Sequence, residues 1–239
     1  MNTPPHLDAG RIYRLAPLDE VVHELRKTFT DGAPRQSVAL SNGGPYVLLG
    51  HDGSAAVATL DRAALTARRT PAVSALATDA LARHDVRRLA VFGTGVQARE
   101  HVRAMRWVRP SLEVVEIVGR EAASTERFVA MLRGEGHPAV ASSAADASSA
   151  DLICTCTSSP APVLIDGAVL PGAHLNVVGS RCEVGGELLG RARVVDDLVA
   201  LARGSLTRSG AEEITAFLSV ADGDLVVATL AARNAGLIA

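Results

Sequence analysis

Lysine is nearly absent: Lys27 is the only one among 24 basic residues, which leaves little room for lysine catalysis. Cysteine is scarce as well, with three in the chain. Cys154 and Cys156 alternate in the strand-like run 152–157, so their side chains share one face of a sheet. A thiolate metal pair would need two further ligands, and His174 with Cys182 is a poor set, so the thiols read as small core fillers and no metal is expected. There is no excess of charge of one sign. A formal net charge of -2, with 21% charged residues, excludes the electrostatic footprint of a nucleic-acid or membrane-surface partner. No apolar stretch approaches the ~20 residues that span a bilayer. The polar, proline-containing start Met1-Asn2-Thr3-Pro4-Pro5 lacks a signal-peptide core, so a cytoplasmic location is expected. No internal repeat is evident. At 239 residues and 48% hydrophobic content, the chain is sufficient for one large or two small cored domains.

The most telling stretch is the apolar run Leu89-Ala90-Val91-Phe92, which opens directly into Gly93-Thr94-Gly95-Val96-Gln97-Ala98. This is G-x-G-x-x-A, the way a parallel strand turns into a nucleotide-binding helix. Gly93 allows the tight turn, Gly95 lets a pyrophosphate approach the backbone, and Ala98 keeps the helix close to the sheet. The context supports this over a plain glycine turn between any strand and helix. An amphipathic helix follows over 96–108, then an apolar strand over 114–118 that ends at Gly119-Arg120. An NAD enzyme usually carries an acid there, whereas a guanidinium beside a small residue suits a 2′-phosphate. Gly119 and Arg120 therefore favour NADP(H), while nearby Glu116 and Glu121 keep NAD(H) possible. Arg120 also reads as a solvated residue at a helix start.

Elsewhere, helical spacing of Leu18, Val21, Val22, Leu25 and Phe29 predicts a helix over 18–29. Runs at 37–40, 46–49 and 55–60, broken by Asn42-Gly43-Gly44-Pro45 and His51-Asp52-Gly53, predict a small antiparallel sheet. An alanine-rich helix follows over 63–82. Beyond the first βαβ come a helix near 123–134, a strand at 139–141, a small-residue stretch over 142–150 holding a short helix, and strands at 151–157, 172–178 and 192–196. Residues 211–239 read as a helical tail. This alternation implies an α/β fold, a Rossmann-type doubly wound parallel sheet with a second, smaller α+β substrate and dimerisation domain. The expected division is 85–210 for dinucleotide binding, against 1–84 plus 211–239 for the smaller domain.

Four blocks carry a resemblance: Ala64-Leu65-Thr66-Ala67-Arg68-Arg69-Thr70-Pro71-Ala72, Gly93 to Ala98, Pro171-Gly172-Ala173-His174-Leu175-Asn176-Val177-Val178-Gly179, and Glu213-Ile214-Thr215-Ala216-Phe217-Leu218-Ser219-Val220. Together, in order from about residue 60 to the end, they resemble the ornithine cyclodeaminase and mu-crystallin family of NAD(P)-dependent enzymes. Its members include ornithine cyclodeaminases, alanine dehydrogenases and reductases of ketimines and cyclic imines, all transferring hydride at a carbon bearing nitrogen. The resemblance makes Arg69 the guanidinium that holds a substrate carboxylate, with Arg68 in that part if the register slips. A fork of donors matches a carboxylate in two-point contact, although a surface arginine on a helix is the plainer reading. The resemblance also sets Val178 and Gly179 against the nicotinamide, Thr155 and Thr157 near the cofactor ribose, and Ser219 close to the ring. It implies a homodimer.

Departures from the family shape the expected chemistry. After Gly179-Ser180, where cyclodeaminases carry the aspartate that manages proton transfer, stands Arg181, with Glu183 and Glu187 as the nearest acids. A guanidinium stays protonated and cannot serve as a base, which argues against true cyclodeamination. The family's substrate-binding lysine has no counterpart, since Lys27 lies too early. The stretch between Asp197 and Ser209 is also short, as is the N-terminal part. Reduction of the C=N bond of a small carboxylated imine, which needs no strong base, is the leading reading. An oxidative amino-acid dehydrogenase or cyclodeaminase and a catalytically degenerate nucleotide-binding protein are the alternatives. Substrate selectivity is expected to lie in 41–49, and His51, His84 and His174 read as structural or exposed.

Overall fold

The computed structural model describes residues 3–31, 37–40, 44–50, 53, 55–219 and 223–238. Ser41, Asn42 and Gly43 of the expected turn, His51, Asp52 and Val220 lie outside them. The chain forms two compact units, one of residues 1–73, 198–203 and 221–239 and one of 74–197 and 204–220. The division expected at 84/85 and 210/211 thus stands beside an observed one that places 74–84 and 211–220 in the larger unit.

The larger unit is built on a seven-stranded parallel sheet. In chain order its strands are β5 (Arg88–Phe92), β6 (Val114–Val118), β7 (Ala139–Ala141), β8 (Leu152–Thr155), β9 (His174–Val177), β10 (Arg193–Val195) and β11 (Thr215–Leu218). Their spatial order is β10-β11-β9-β8-β5-β6-β7. The crossover helices are α4 (Val96–Val108), α5 (Ala122–Gly134), α6 (Ala144–Ala147) and α7 (Gly186–Arg191). The chain winds outward from β5 to β7, then returns to pair β8 on the other side of β5, so the strand order reverses between β5 and β8. In open α/β sheets that reversal leaves a crevice beyond the carboxyl ends of the strands, where ligands bind. This is the Rossmann-type doubly wound sheet.

Residues 211–239 depart from the expected helical tail. Thr215 to Leu218 form β11, sandwiched between β10 and β9, and among the described residues of this stretch only Asp224–Asn234 is helical. Thr215, Ala216 and Phe217 are all buried, so the run shows no inside–outside alternation to separate a strand from a helix.

Two arginines tie the far end of this unit together. Arg109 donates to the carbonyls of Thr78, Asp79, Ala82 and Arg83 at 2.8–3.1 Å, satisfying the acceptors left over at the end of helix α3 (Arg62–Leu81). Arg208 likewise donates to the carbonyls of Leu81, Gly172, Gly210, Ala211 and Glu213.

The smaller unit has a four-stranded sheet with order β1-β4-β3-β2, from β1 (His6–Leu7), β2 (Ser37–Leu40), β3 (Tyr46–Leu49) and β4 (Ala56–Leu60). The β2-β3-β4 pairs are antiparallel, as expected, and β1 adds a parallel edge. Helices α1 (Ala9–Leu15), α2 (Leu18–Asp31), α8 (Leu198–Ala202) and α9 (Asp224–Asn234) complete it. The apolar stripe of α2 buries Val21, Val22 and Leu25, and α8 and α9 pack against this helix. Helix α3 carries the chain from the smaller unit into the larger one at Val73/Ser74.

Candidate functional site

Strand register brings most of the expected cofactor residues to one edge of the larger sheet. Phe92 pairs with Val118 and Thr155, Thr155 with Val177, and Val177 with Leu218. The residues that follow these strand ends are therefore Gly93, Gly119, Cys156, Val178 and Ser219. A cleft of about 800 Å³ opens there, lined by Gly93, Thr94, Gly95, Gly119, Arg120 and Thr157 of the expected set. Glu121, Ser124 and Cys156 line it too. Val96, Gln97, Ala98, Thr155, Val178 and Gly179 do not.

The two glycines of the motif serve different ends. Gly93 has φ +121°, and a Cβ there would lie 2.4 Å from the Cys156 carbonyl oxygen, so the fold itself demands glycine. Its N–H donates to Val118 O at 2.8 Å, extending the parallel β5–β6 pairing one residue beyond Phe92. Gly95 has no such constraint: nothing lies within 4 Å of the Cβ it lacks. It is the N-cap of the 13-residue helix α4, supplies no side-chain cap to it, and itself lines the cleft. Backbone donors at a helix start, with room for close approach, suit an anion such as a dinucleotide pyrophosphate. Ala98 is fully buried, consistent with close packing of α4 on the sheet. Val96 points outward and is 61% exposed.

At the end of β6, Gly119 has a packing reason beyond its small size. A Cβ there would meet Thr125 Oγ1 at 2.1 Å and Thr94 Cγ2 at 2.8 Å. Arg120 is exposed on the cleft and makes no hydrogen bond or ion pair with a described residue. Glu116 is engaged elsewhere: Arg88 grips both of its oxygens at 3.1 Å, and Ser142 donates to it at 3.2 Å. Glu121 lines the cleft beside Arg120.

Beyond β8 and β9, the Thr155 carbonyl accepts from the N–H groups of Val178 and Gly179 at 3.0 and 3.2 Å. The Thr155 hydroxyl oxygen is buried without a hydrogen-bond partner among the described residues. A 3₁₀ turn over Arg181–Glu183, with Glu183 N–H donating to Ser180 O, folds Glu183 back beneath Gly179. The Glu183 carboxylate is fully buried, accepts from the Thr157 hydroxyl, and would touch any Cβ on Gly179. Its other oxygen, Oε2, has no hydrogen-bond partner among the described residues. Arg181 is exposed and borders a separate depression with Cys182, Val184 and Leu189, away from the cleft lining. Ser219 follows β11 and donates its N–H to Val177 O at 3.0 Å.

Neither thiol of the Cys154 and Cys156 pair is poised to ionise. Burial pushes Cys154 up to about 12, and burial with the neighbouring Cys154 and Glu183 raises Cys156 well above its ordinary value. His174 is fully buried with Nδ1 2.8 Å from Thr215 Oγ1, and burial, then Arg208 and Arg109, lower it to about 3. It is a neutral structural group.

In the smaller unit, Arg69 is 7% exposed on α3, and its Nε donates to Asp224 Oδ1 at 3.0 Å. The other Asp224 oxygen accepts from the Tyr46 hydroxyl at 2.7 Å. Arg68 turns another way, its guanidinium 4.4 Å from the centre of the Tyr13 ring. Asp224 and Tyr46 escaped the sequence reading because no local pattern links residues 155 positions apart, as Arg69 and Asp224 are.

A Rossmann-type sheet with a glycine cradle at its switch point defines a dinucleotide-binding architecture. Residues 37–234 match the ornithine cyclodeaminase/mu-crystallin family, and the chain belongs to it. It is 33% identical over 154 residues to the ketimine reductase mu-crystallin of Macropus fuliginosus, covering 64% of this chain and 48% of that protein. The chain spans about half the length of the relatives it matches. Among solved structures, it superposes with TM-score 0.84 and 21% identity on the Thermococcus litoralis Delta(1)-pyrroline-2-carboxylate reductase in complex with NADH and L-proline, over 97% of each chain. An archaeal alanine dehydrogenase dimer with bound NAD superposes at TM-score 0.82 and 21% identity, over 97% of this chain and 96% of that one. These likenesses show the same fold.

Proposed function

We propose that this chain is an NAD(P)H-dependent oxidoreductase that reduces the C=N bond of a small carboxylated imine. The observation that carries the reading is the Gly93-Thr94-Gly95 cradle, with an uncapped helix start and open space over Gly95 at the topological switch point. The names of relatives, a ketimine reductase and a pyrroline-2-carboxylate reductase, supply the substrate class. A bound reduced nicotinamide supplies the hydride. The chain's part is to hold and orient: Gly95 and the first N–H groups of α4 would receive the pyrophosphate, and Val178 and Gly179, fixed by the Thr155 carbonyl, would back the nicotinamide. Thr155 and Thr157 would contact the ribose, and Ser219 the ring.

Arg69 would grip the imine carboxylate in two-point contact and align the carbon for attack. An iminium already carries its proton, so a strong enzymic base at the Arg181 position is unnecessary. NADP(H) is favoured, because Arg120 is a guanidinium on the cleft with no partner among the described residues while Glu116 is taken by Arg88. NAD(H), bound in the T. litoralis and archaeal structures, is the second cofactor. A homodimer fits the archaeal relative described as a dimer, and free Cys154, Cys156 and Cys182 fit the reducing cytoplasm.

One observation favours a second reading, amino-acid oxidation: the buried Glu183 carboxyl against Gly179 is an acid–base group close to the proposed ring position. The test is oxidation of NADPH and NADH with Δ1-pyrroline-2-carboxylate and its six-membered homologue, alongside Arg69→Ala. Turnover is expected, falling about 100-fold in kcat/KM in the variant, as for loss of a charge-assisted two-point contact. Turnover only with an amino acid and oxidised cofactor would replace imine reduction with the oxidative reading. Cofactor binding without any turnover would make this a nucleotide-binding protein that has lost its chemistry.

A further inference from the structure

A guanidinium that is to hold a ligand must be buried, dry and fixed before the ligand arrives, and burial of an unpaired charge is costly. In the smaller unit Asp224 answers this need at Arg69. It meets Nε at 3.0 Å, and the two side chains are 9% and 18% exposed. The contact is made through Nε, and the planar guanidinium fork is the geometry that grips a carboxylate in two-point contact. Asp224 is itself fixed from three sides. Tyr46 donates to its second oxygen at 2.7 Å, it sits in the first turn of the 11-residue helix α9, where the helix dipole favours an anion, and Gly223 precedes it with φ +105°. The left-handed φ favours glycine there, and a Cβ would lie 2.8 Å from Leu25 Cδ2 and 3.4 Å from Arg69 Cγ. The backbone is thereby allowed to run close against the Arg69 side chain. Burial, then the hydrogen bond and charge of Asp224, raise the Tyr46 phenol above its ordinary value, so it stays a donor across the neutral range.

We propose that Asp224 and Tyr46 are positioning residues that hold the Arg69 guanidinium ready for the carboxylate of the substrate. This rests on the reading of Arg69 as the carboxylate anchor. Tyr46 comes from β3, Arg69 from α3 and Asp224 from α9, so the anchor is assembled from three distant parts of the chain. Deleting the Asp224 charge leaves Arg69 in place but free to reorient or to keep its water; deleting only the Tyr46 hydroxyl loosens Asp224 one step further away.

The experiment is calorimetric binding of pyrrole-2-carboxylate, a flat carboxylate probe that cannot turn over, to the NADP⁺-loaded protein. It is run with wild type, Asp224→Asn, Tyr46→Phe and Arg69→Ala, with NADPH binding and thermal melting measured on each. Binding is expected to weaken about tenfold in Asp224→Asn and about threefold in Tyr46→Phe, and to vanish in Arg69→Ala, with NADPH affinity unchanged throughout. Unchanged probe binding in Asp224→Asn and Tyr46→Phe overturns the proposal. So does a loss of NADPH and probe binding in parallel with a fallen melting temperature, which marks the pair as merely structural. If Asp224→Asn fails to fold, Tyr46→Phe, which changes one hydroxyl, decides alone. Probe binding that survives Arg69→Ala refutes the anchor reading itself, separately from the effect at Asp224.

Discussion

The larger unit makes its candidate site from backbone, and the smaller unit makes its own from side chains. In the larger one, a positive-φ glycine and an uncapped helix start, encoded within a few consecutive residues, form the cleft together with a row of parallel strand ends. In the smaller one, Tyr46, Arg69 and Asp224 meet only after the chain has folded. A backbone site tolerates change in most side chains but not in the few glycines that shape it. A side-chain site has the opposite sensitivity, and this difference can be probed.

The largest effect is expected at Gly93. A Val there adds a Cβ 2.4 Å from the Cys156 carbonyl and forces a β-branched residue to φ +121°. Gly93→Val should destabilise the protein by several kcal/mol, on the order of the costliest single substitutions, read as a fall in the denaturation midpoint. An unchanged midpoint would mean that the turn is not the constraint the geometry indicates.

A second way to break the larger unit selectively is acid. His174 and His101 are both fully buried, lowered to about 3 and about 4, mainly by burial. Their folded-state pKa values lie below the ordinary 6.5, so the unfolded chain binds protons that the native one refuses. Their contribution is intact above pH about 6.5 and drains as pH falls toward about 4, by up to about 1.4 kcal/mol per pH unit for each histidine. The melting temperature should drop steeply across that window, and His101→Gln should make the slope shallower. A flat profile in wild type would show that neither ring is held neutral.

Gly95 sharpens the comparison, because it belongs to the same motif as Gly93 and has open space instead of a clash. Gly95→Val should leave the melting temperature within a degree or two, since nothing meets the added side chain, yet weaken NADPH binding by about 100-fold by filling the space where phosphate approaches. Equal damage to stability and binding would merge the two glycines into one structural role.

These glycines also show why one unit was more legible than the other. The β5–α4–β6 order, the strand at 114–118 and the cradle follow from local spacing, because strand period, turn chemistry and helix start lie next to one another in the chain. β11 was read as helix because full burial erased its alternation, and its place between β10 and β9 is a long-range fact. At the candidate site, Arg69 was found through a motif, whereas Asp224 and Tyr46 carry no motif at all. Glu183 was visible only as an acid near Arg181; the 3₁₀ turn that folds it under Gly179 is a tertiary outcome. Gly119 also has a packing reason that its neighbours in sequence do not announce, since a Cβ there would crowd Thr125 and Thr94.

The smallest expected effect tests the one place in the larger unit where a side chain, not backbone, decides. Arg120 is exposed on the cleft, so its charge is screened and its grip on a 2′-phosphate is that of a surface cation, about 1–2 kcal/mol. Arg120→Ala should raise the KM for NADPH about tenfold and leave that for NADH within twofold, because only NADPH carries the extra phosphate. The effect should shrink as salt rises from 50 to 500 mM, as for any exposed ion contact. Glu121 sets the counter-test from the same lip of the cleft: its carboxylate repels a phosphate and accepts from ribose hydroxyls, so Glu121→Gln should move the preference further toward NADPH. If Arg120→Ala instead weakens both cofactors alike, the guanidinium is serving the common part of the dinucleotide, and the preference for NADP(H) falls while the cleft keeps its role.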